Sequence, residues 1–174
     1  PVDVTQYGII YAGAQKNMGP AGATMVIIKN SILGKSGRNI PSMLNYKVHI
    51  DEGSLYNTPS VFAIYVSMLT LEWLKDNGGI SWIEKRNIEK ADMLYAELYA
   101  NPAFRCIAEA ADRSLMNVTF KLENEKLEPE FTKMLKDANI VGLKGHRLLG
   151  GYRASMYNAL PPESVKTLTE VMRV

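Results

Sequence analysis

The chain has 174 residues, of which 47% are hydrophobic, 22% charged and 9% aromatic; this is a globular composition and excludes a disordered tail. Lys and Arg total 20 against 18 Asp and Glu, a formal net charge of +2, and no basic arm calls for nucleic acid or an anionic membrane. The single cysteine, Cys106, excludes an internal disulfide framework and a Cys-based zinc site.

Residues 1–6 carry no positive segment leading into an apolar run, so no signal peptide is expected there. Residues 7–14 and 23–29 read as buried strands. Gln15-Lys16-Asn17-Met18-Gly19-Pro20-Ala21-Gly22 joins them and leaves Lys16 at a strand end. Strands so near the first residue need covering neighbours that this sequence does not obviously contain. Residues 31–56 read as irregular, broken by Gly34, Gly37, Pro41 and Gly53.

Thr58 then suits a helix N-cap, with Pro59 at the tolerated first position. Residues 61–75 predict a helix that is apolar nearly all round and therefore buried on most sides, yet too short to span a membrane. Asn77-Gly78-Gly79 stops it. Residues 81–99 predict an amphipathic helix with Ile83, Asn87, Ala91, Leu94, Tyr95 and Leu98 on one face. Strands follow at 104–109 and 115–121, a helix at 129–138, strands at 140–143 and 151–156, and a helix at 162–173. The class is α/β, with residues 1–77 forming part of one domain and 78–174 a compact α/β domain with its own core. A soluble, cytoplasmic protein fits this reading.

Three places carry candidate chemistry. Lys16 lies among small residues, so its amine is either a snorkelling strand-end charge or, if desolvated, a nucleophile able to form a Schiff base. Asn57-Thr58 at a helix start is either an ordinary cap or a phosphate seat. Lys144-Gly145-His146-Arg147 and Gly150-Gly151-Tyr152-Arg153 set one His and two Arg between glycines, which is either an exposed basic loop or a site for a small polyanion. Cys106 reads as an inert strand thiol and His49 as structural, and no His/Cys/Asp cluster has metal-ligand spacing.

Tyr11-Ala12-Gly13-Ala14-Gln15-Lys16-Asn17 with Gly19-Pro20-Ala21-Gly22, Asn57-Thr58-Pro59, and Lys144 through Ser155 together resemble the phosphoserine aminotransferase family. Arg113 to Val118 and Tyr157-Asn158-Ala159 add to the resemblance. It implies the end of the large cofactor-binding domain, followed by the small C-terminal domain, of a fold-type-I, pyridoxal-phosphate-dependent transferase. Lys16 would then carry pyridoxal 5'-phosphate and Gln15 would lie beside it. Asn57 and Thr58 would reach the cofactor phosphate of the other subunit of a homodimer. His146 and Arg147 would meet the substrate phosphate, and Arg153 the α-carboxylate. The implied reaction moves an amino group reversibly between L-glutamate and 3-phosphohydroxypyruvate, giving 2-oxoglutarate and O-phosphoserine. The resemblance also implies an N-terminal half outside these 174 residues, without which this chain alone would be inactive. A related aminotransferase of the same fold, or a non-catalytic binding or assembly module, are the alternatives.

Overall fold

The computed structural model describes residues 2–173. The chain divides into two compact units, residues 1–73 and 74–174. The first is built on an antiparallel hairpin of β1 (Ile9–Gly13) and β2 (Thr24–Ile28), with Ile9 opposite Ile28 and Gly13 opposite Thr24. Both strands are largely exposed, contrary to their apolar reading, because this unit supplies no layer that covers either face of the hairpin. The stretch expected to be irregular contains a short helix, α1 (Tyr46–Asp51), capped by the Asn45 side chain, which accepts from the Lys47 amide at 3.0 Å.

Helix α2 (Val61–Asp76) starts at the residue expected for its apolar run, but Thr58 does not cap it. Its first bond runs from the Ile64 amide to the Ser60 carbonyl at 3.1 Å, so Ser60 holds the cap position and Thr58–Pro59 lie ahead of the helix. Proline biases Thr58 towards extended backbone, which moves the start past it. The expected burial of α2 is also corrected: Ala63 alone is buried among its described residues, while Phe62, Tyr65, Leu69 and Trp73 line up as an exposed stripe. The one covered strip lies under the loop that follows β1. A Cβ at Gly19 would sit 2.6 Å from Ser67 Oγ, and one at Gly22 3.0 Å from Ser60 Oγ, at φ angles of +153° and +116°. Only glycine allows that approach.

The second unit is a two-layer α/β sandwich. Helix α3 (Gly79–Ala100) begins after Gly78 in the left-handed region and buries Ile83, Asn87, Lys90, Ala91, Leu94, Glu97 and Leu98. A three-stranded antiparallel sheet follows in the order β3 (Phe104–Cys106), β4 (Asn117–Leu122), β5 (Tyr152–Ser155). Strand alternation sends Phe104, Val118, Phe120, Leu122, Tyr152 and Ala154 into the core. There they meet Leu94 and Leu98 of α3, Phe131 and Leu135 of α4 (Glu128–Asp137), and Val165 and Leu168 of α5 (Pro162–Met172). The aromatic rings of Phe104, Phe120, Phe131 and Tyr152 pack with centroids 5.1–5.8 Å apart, the spacing at which edge-to-face and offset pairs attract.

No strand forms at 140–143. Pairing with the β5 edge occurs slightly later: the Arg153 amide donates to the Leu143 carbonyl at 2.7 Å, and Lys144 bridges to Tyr152. Gly142, with φ of +77°, turns the chain into that position. No helix among the described residues is long and apolar enough to cross a membrane.

Candidate functional site

Lys16 follows β1 in a tight turn. The amides of Lys16, Met18 and Gly19 all donate to the carbonyl of buried Ala14, at 2.6, 3.2 and 2.8 Å. Three donors on one acceptor fix the backbone at the lysine. Gly13, just ahead of it, borders open space: a Cβ there would meet nothing within 4 Å. Lys16 and Gln15 are exposed, so the desolvation suggested by their small neighbours is not supplied by this unit's own side chains. Asn57 and Thr58 are exposed as well, with Asn57 Nδ2 donating to the Thr58 carbonyl at 3.1 Å.

The second unit carries the cationic groups. The chain leaves β4, passes through α4 and returns to β5 by a loop whose shape is set by glycines. Gly145 and Gly151 close it, the Gly145 amide donating to the Gly151 carbonyl at 2.8 Å. A Cβ at Gly145 would lie 2.3 Å from the Gly150 carbonyl oxygen, so no other residue fits there. Gly150 and Gly151 turn with φ of +65° and +64°. At the loop tip the His146 carbonyl accepts from the Leu149 and Gly150 amides at 3.0 and 2.8 Å. The Leu148 amide donates to His146 Nδ1 at 3.3 Å, which places the neutral ring's proton on Nε2. His146 therefore offers a donor at its outer edge.

His146 and Arg147 line a cleft of about 330 Å³ together with Lys144, Lys121 of β4, and Glu125 and Glu128. The structure thus unites His146 and Arg147. It sets Arg153 elsewhere: on β5 this residue points away from the core between Tyr152 and Ala154, opposite Thr119. It lines a separate groove of about 520 Å³ between the 138–143 segment, β5 and α5. Ser155, next outward on the same strand, donates to Asn117 Oδ1 at 3.1 Å.

Residues 1–168 match the family model for class-V aminotransferases. The chain belongs to the class-V aminotransferase family. It is 58% identical over 172 residues to the phosphoserine aminotransferase of Flavobacterium johnsoniae, covering 99% of this chain and 48% of that protein. The solved phosphoserine aminotransferase of Bacillus circulans subsp. alkalophilus superposes with a TM-score of 0.93 at 42% identity, covering 99% of this chain and 48% of that one. The PLP-bound phosphoserine aminotransferase of Trichomonas vaginalis superposes with a TM-score of 0.90 at 34% identity, covering 99% and 50%. The chain spans about half the length of the curated relatives it matches.

Within this class-V chain, the sequence does not single out two lysines, Lys121 and Lys90. Lys121, on the outer face of β4, joins the cationic cleft, and its alternation with buried Phe120 and Leu122 was the available signal. Lys90 falls on the buried stripe of α3, three residues after Asn87 and four before Leu94, a spacing that marks it as inward-facing. Cys106, half-buried in β3, has its thiol pushed up by burial and offers no nucleophile. Among the described residues no group of three or more His, Cys, Asp or Glu could hold a metal ion.

Proposed function

We propose that this chain supplies the lysine-bearing end of the large domain and the small C-terminal α/β domain of a phosphoserine aminotransferase, divided at 1–77 and 78–174. The reading rests on one observation: similarity to phosphoserine aminotransferases at 58% identity covers 99% of the chain. The enzyme would move an amino group reversibly between L-glutamate and 3-phosphohydroxypyruvate, giving O-phosphoserine in serine biosynthesis. A cytoplasmic homodimer that shares its active sites is the corresponding assembly. The separation of Arg153 from the His146-Arg147 cleft suits a site whose donors come from two subunits.

The residues present fit pyridoxal 5'-phosphate. Lys16 is exposed on a pinned backbone beside open space at Gly13, and Gln15, Asn57 and Thr58 offer exposed polar groups for the cofactor's ring substituents and phosphate. When bound, the cofactor supplies the electron sink for the substrate's α-carbon. Lys16 would hold it through Nζ and would serve as the general base that moves the proton at the substrate's α-carbon. Arg153 holds the α-carboxylate that every substrate shares. His146 Nε2 and Arg147 hold the phosphate by charge-assisted bonds. Lys121 and Lys144 add positive charge around the same cleft.

The test is a half-reaction assay on full-length protein containing this chain, loaded with pyridoxal phosphate. Amino transfer from both O-phosphoserine and L-glutamate is the expected result. Transfer confined to unphosphorylated donors would assign a different aminotransferase of the fold. No transfer from any donor would leave a binding module.

A further inference from the structure

Lys90 is fully buried in α3, and its ammonium group is spent on a single loop. Nζ donates to the main-chain carbonyls of Met156 at 3.1 Å, Tyr157 at 2.8 Å and Leu160 at 3.2 Å. An ammonium has three N–H donors, and three acceptors are met. The loop is the turn that leaves β5, closed by the Leu160 amide on the Tyr157 carbonyl at 3.0 Å. A second brace comes from one turn earlier in α3, where Asn87 Nδ2 donates to Asn158 Oδ1 at 2.9 Å.

These braces matter because of where β5 lies. It has four residues, sits at the sheet edge, and is entered through Gly150 and Gly151, both in the left-handed region. That entry is the more deformable end, since glycine has the widest backbone freedom. The exit is tied down: the Met156 amide donates to the Met116 carbonyl at 2.7 Å, and Lys90 grips the carbonyl of the same residue. Arg153 is three residues from that grip. A buried cation with no other role is costly, and burial together with nearby Arg86 lowers its pKa to about 8. An apolar residue at 90 would fill the space without that cost, but it would take a donor from all three carbonyls, of which that of Tyr157 keeps the Leu160 amide.

We propose that Lys90 is a positioning residue for Arg153: by clamping the 156–160 turn it fixes the exit of β5 and hence the direction in which the guanidinium meets a substrate carboxylate. The proposal rests on the reading of Arg153 as the carboxylate-binding group. A loss of a few tenths of an ångström in such alignment weakens binding of a planar, bidentate partner more than it slows proton transfer at Lys16, which belongs to the other unit.

The experiment uses the full-length, cofactor-loaded enzyme with Lys90→Met. KM for L-glutamate and for O-phosphoserine is expected to rise about tenfold or more with kcat changed less than about threefold. In an Arg153→Ala background the same substitution is expected to add nothing to KM, since the guanidinium it positions is gone. Amide exchange over residues 153–160 is expected to speed up while β3 and β4 stay protected. Unchanged KM with a lower unfolding midpoint, or effects of Lys90→Met and Arg153→Ala that multiply, would overturn the proposal. Asn87→Ala, which removes the neighbouring brace without touching a charge, carries the same measurements if Lys90→Met fails to fold. A wild type without transfer activity refutes the proposed function, and amide exchange then decides alone whether Lys90 holds β5.

Discussion

Glu97 on α3 is buried to 4% exposure, and Arg173 Nε, just past the end of α5, donates to its carboxylate at 2.5 Å. Asn101 connects the same two helices, with Nδ2 on the Met172 carbonyl at 2.6 Å. Helices α3 and α5 are thus latched at one end by a charge and an amide. Arg173→Ala is expected to lower the unfolding free energy of the second unit by about 1–3 kcal/mol, because it takes the charged partner from a buried carboxylate and leaves it the Asn101 amide at 3.4 Å. Urea unfolding followed by tryptophan fluorescence measures it; a change below about 0.5 kcal/mol would show that the latch is redundant.

Lys16→Ala in the full-length enzyme is expected to abolish transfer and the borohydride-trapped lysine adduct while leaving the unfolding midpoint close to wild type. The turn that holds Lys16 is made by main-chain amides on the Ala14 carbonyl, and alanine keeps all of them. Near-normal turnover in this variant would remove Lys16 from the chemistry.

Arg153→Ala should weaken both half-reactions, since every substrate presents an α-carboxylate. His146→Ala and Arg147→Ala should harm the phosphoserine half-reaction more, by about tenfold or more in kcat/KM, given roughly 1.5–3 kcal/mol for each charge-assisted hydrogen bond. Single-turnover rates with each donor provide the comparison. Equal slowing of both donors would make the 144–151 cleft a general anion clamp.

The buried ammonium of Lys90 also predicts a pH dependence. Its folded pKa, about 8, lies below the ordinary 10.5, so beneath pH 8 both folded and unfolded states are charged and the fold bears the full cost of burial. Between those values the unfolded state holds a proton the folded state has released, and stability from this group rises with pH. The neutral amine still donates two bonds to the turn. The difference in urea midpoint between wild type and Lys90→Met should therefore shift in favour of wild type from pH 7.5 to pH 10. A constant difference across that range would contradict the lowered pKa.

The second unit was legible in sequence because its residues meet each other. The 3.6-residue rhythm of α3 and the alternation of β4 and β5 both describe faces that pack within 74–174. The first unit shows the same physics in reverse. The apolar surfaces of β1, β2 and α2 call for burial that the described residues of the unit do not supply, so Phe62 and Tyr65 stand exposed, in keeping with the covering neighbours that the sequence lacks. Lys16, His146 and Arg147 were legible from glycine spacing, since their loops depend on close backbone approach. Two features were not. The division of the cationic residues between two grooves depends on which side of β5 Arg153 faces, and the spacing of Lys90 marks it as inward-facing but does not reveal its partners, which the helix meets in the 156–160 turn.

The loop from Gly145 to Gly151 owes its path mostly to backbone: amide meets carbonyl across it, His146 Nδ1 adds one side-chain bond from the Leu148 amide, and the side chains of Leu148 and Leu149 stand in solvent at 88% and 62% exposure. Stability of the sandwich and the identity of the groups at the cleft are therefore written in different residues. On the proposed function, exchange of residues 147–149 would leave the glycine frame and the Tyr152 core beneath it in place, which would make this loop an interchangeable headpiece through which the scaffold could acquire a new acidic substrate without having to fold anew.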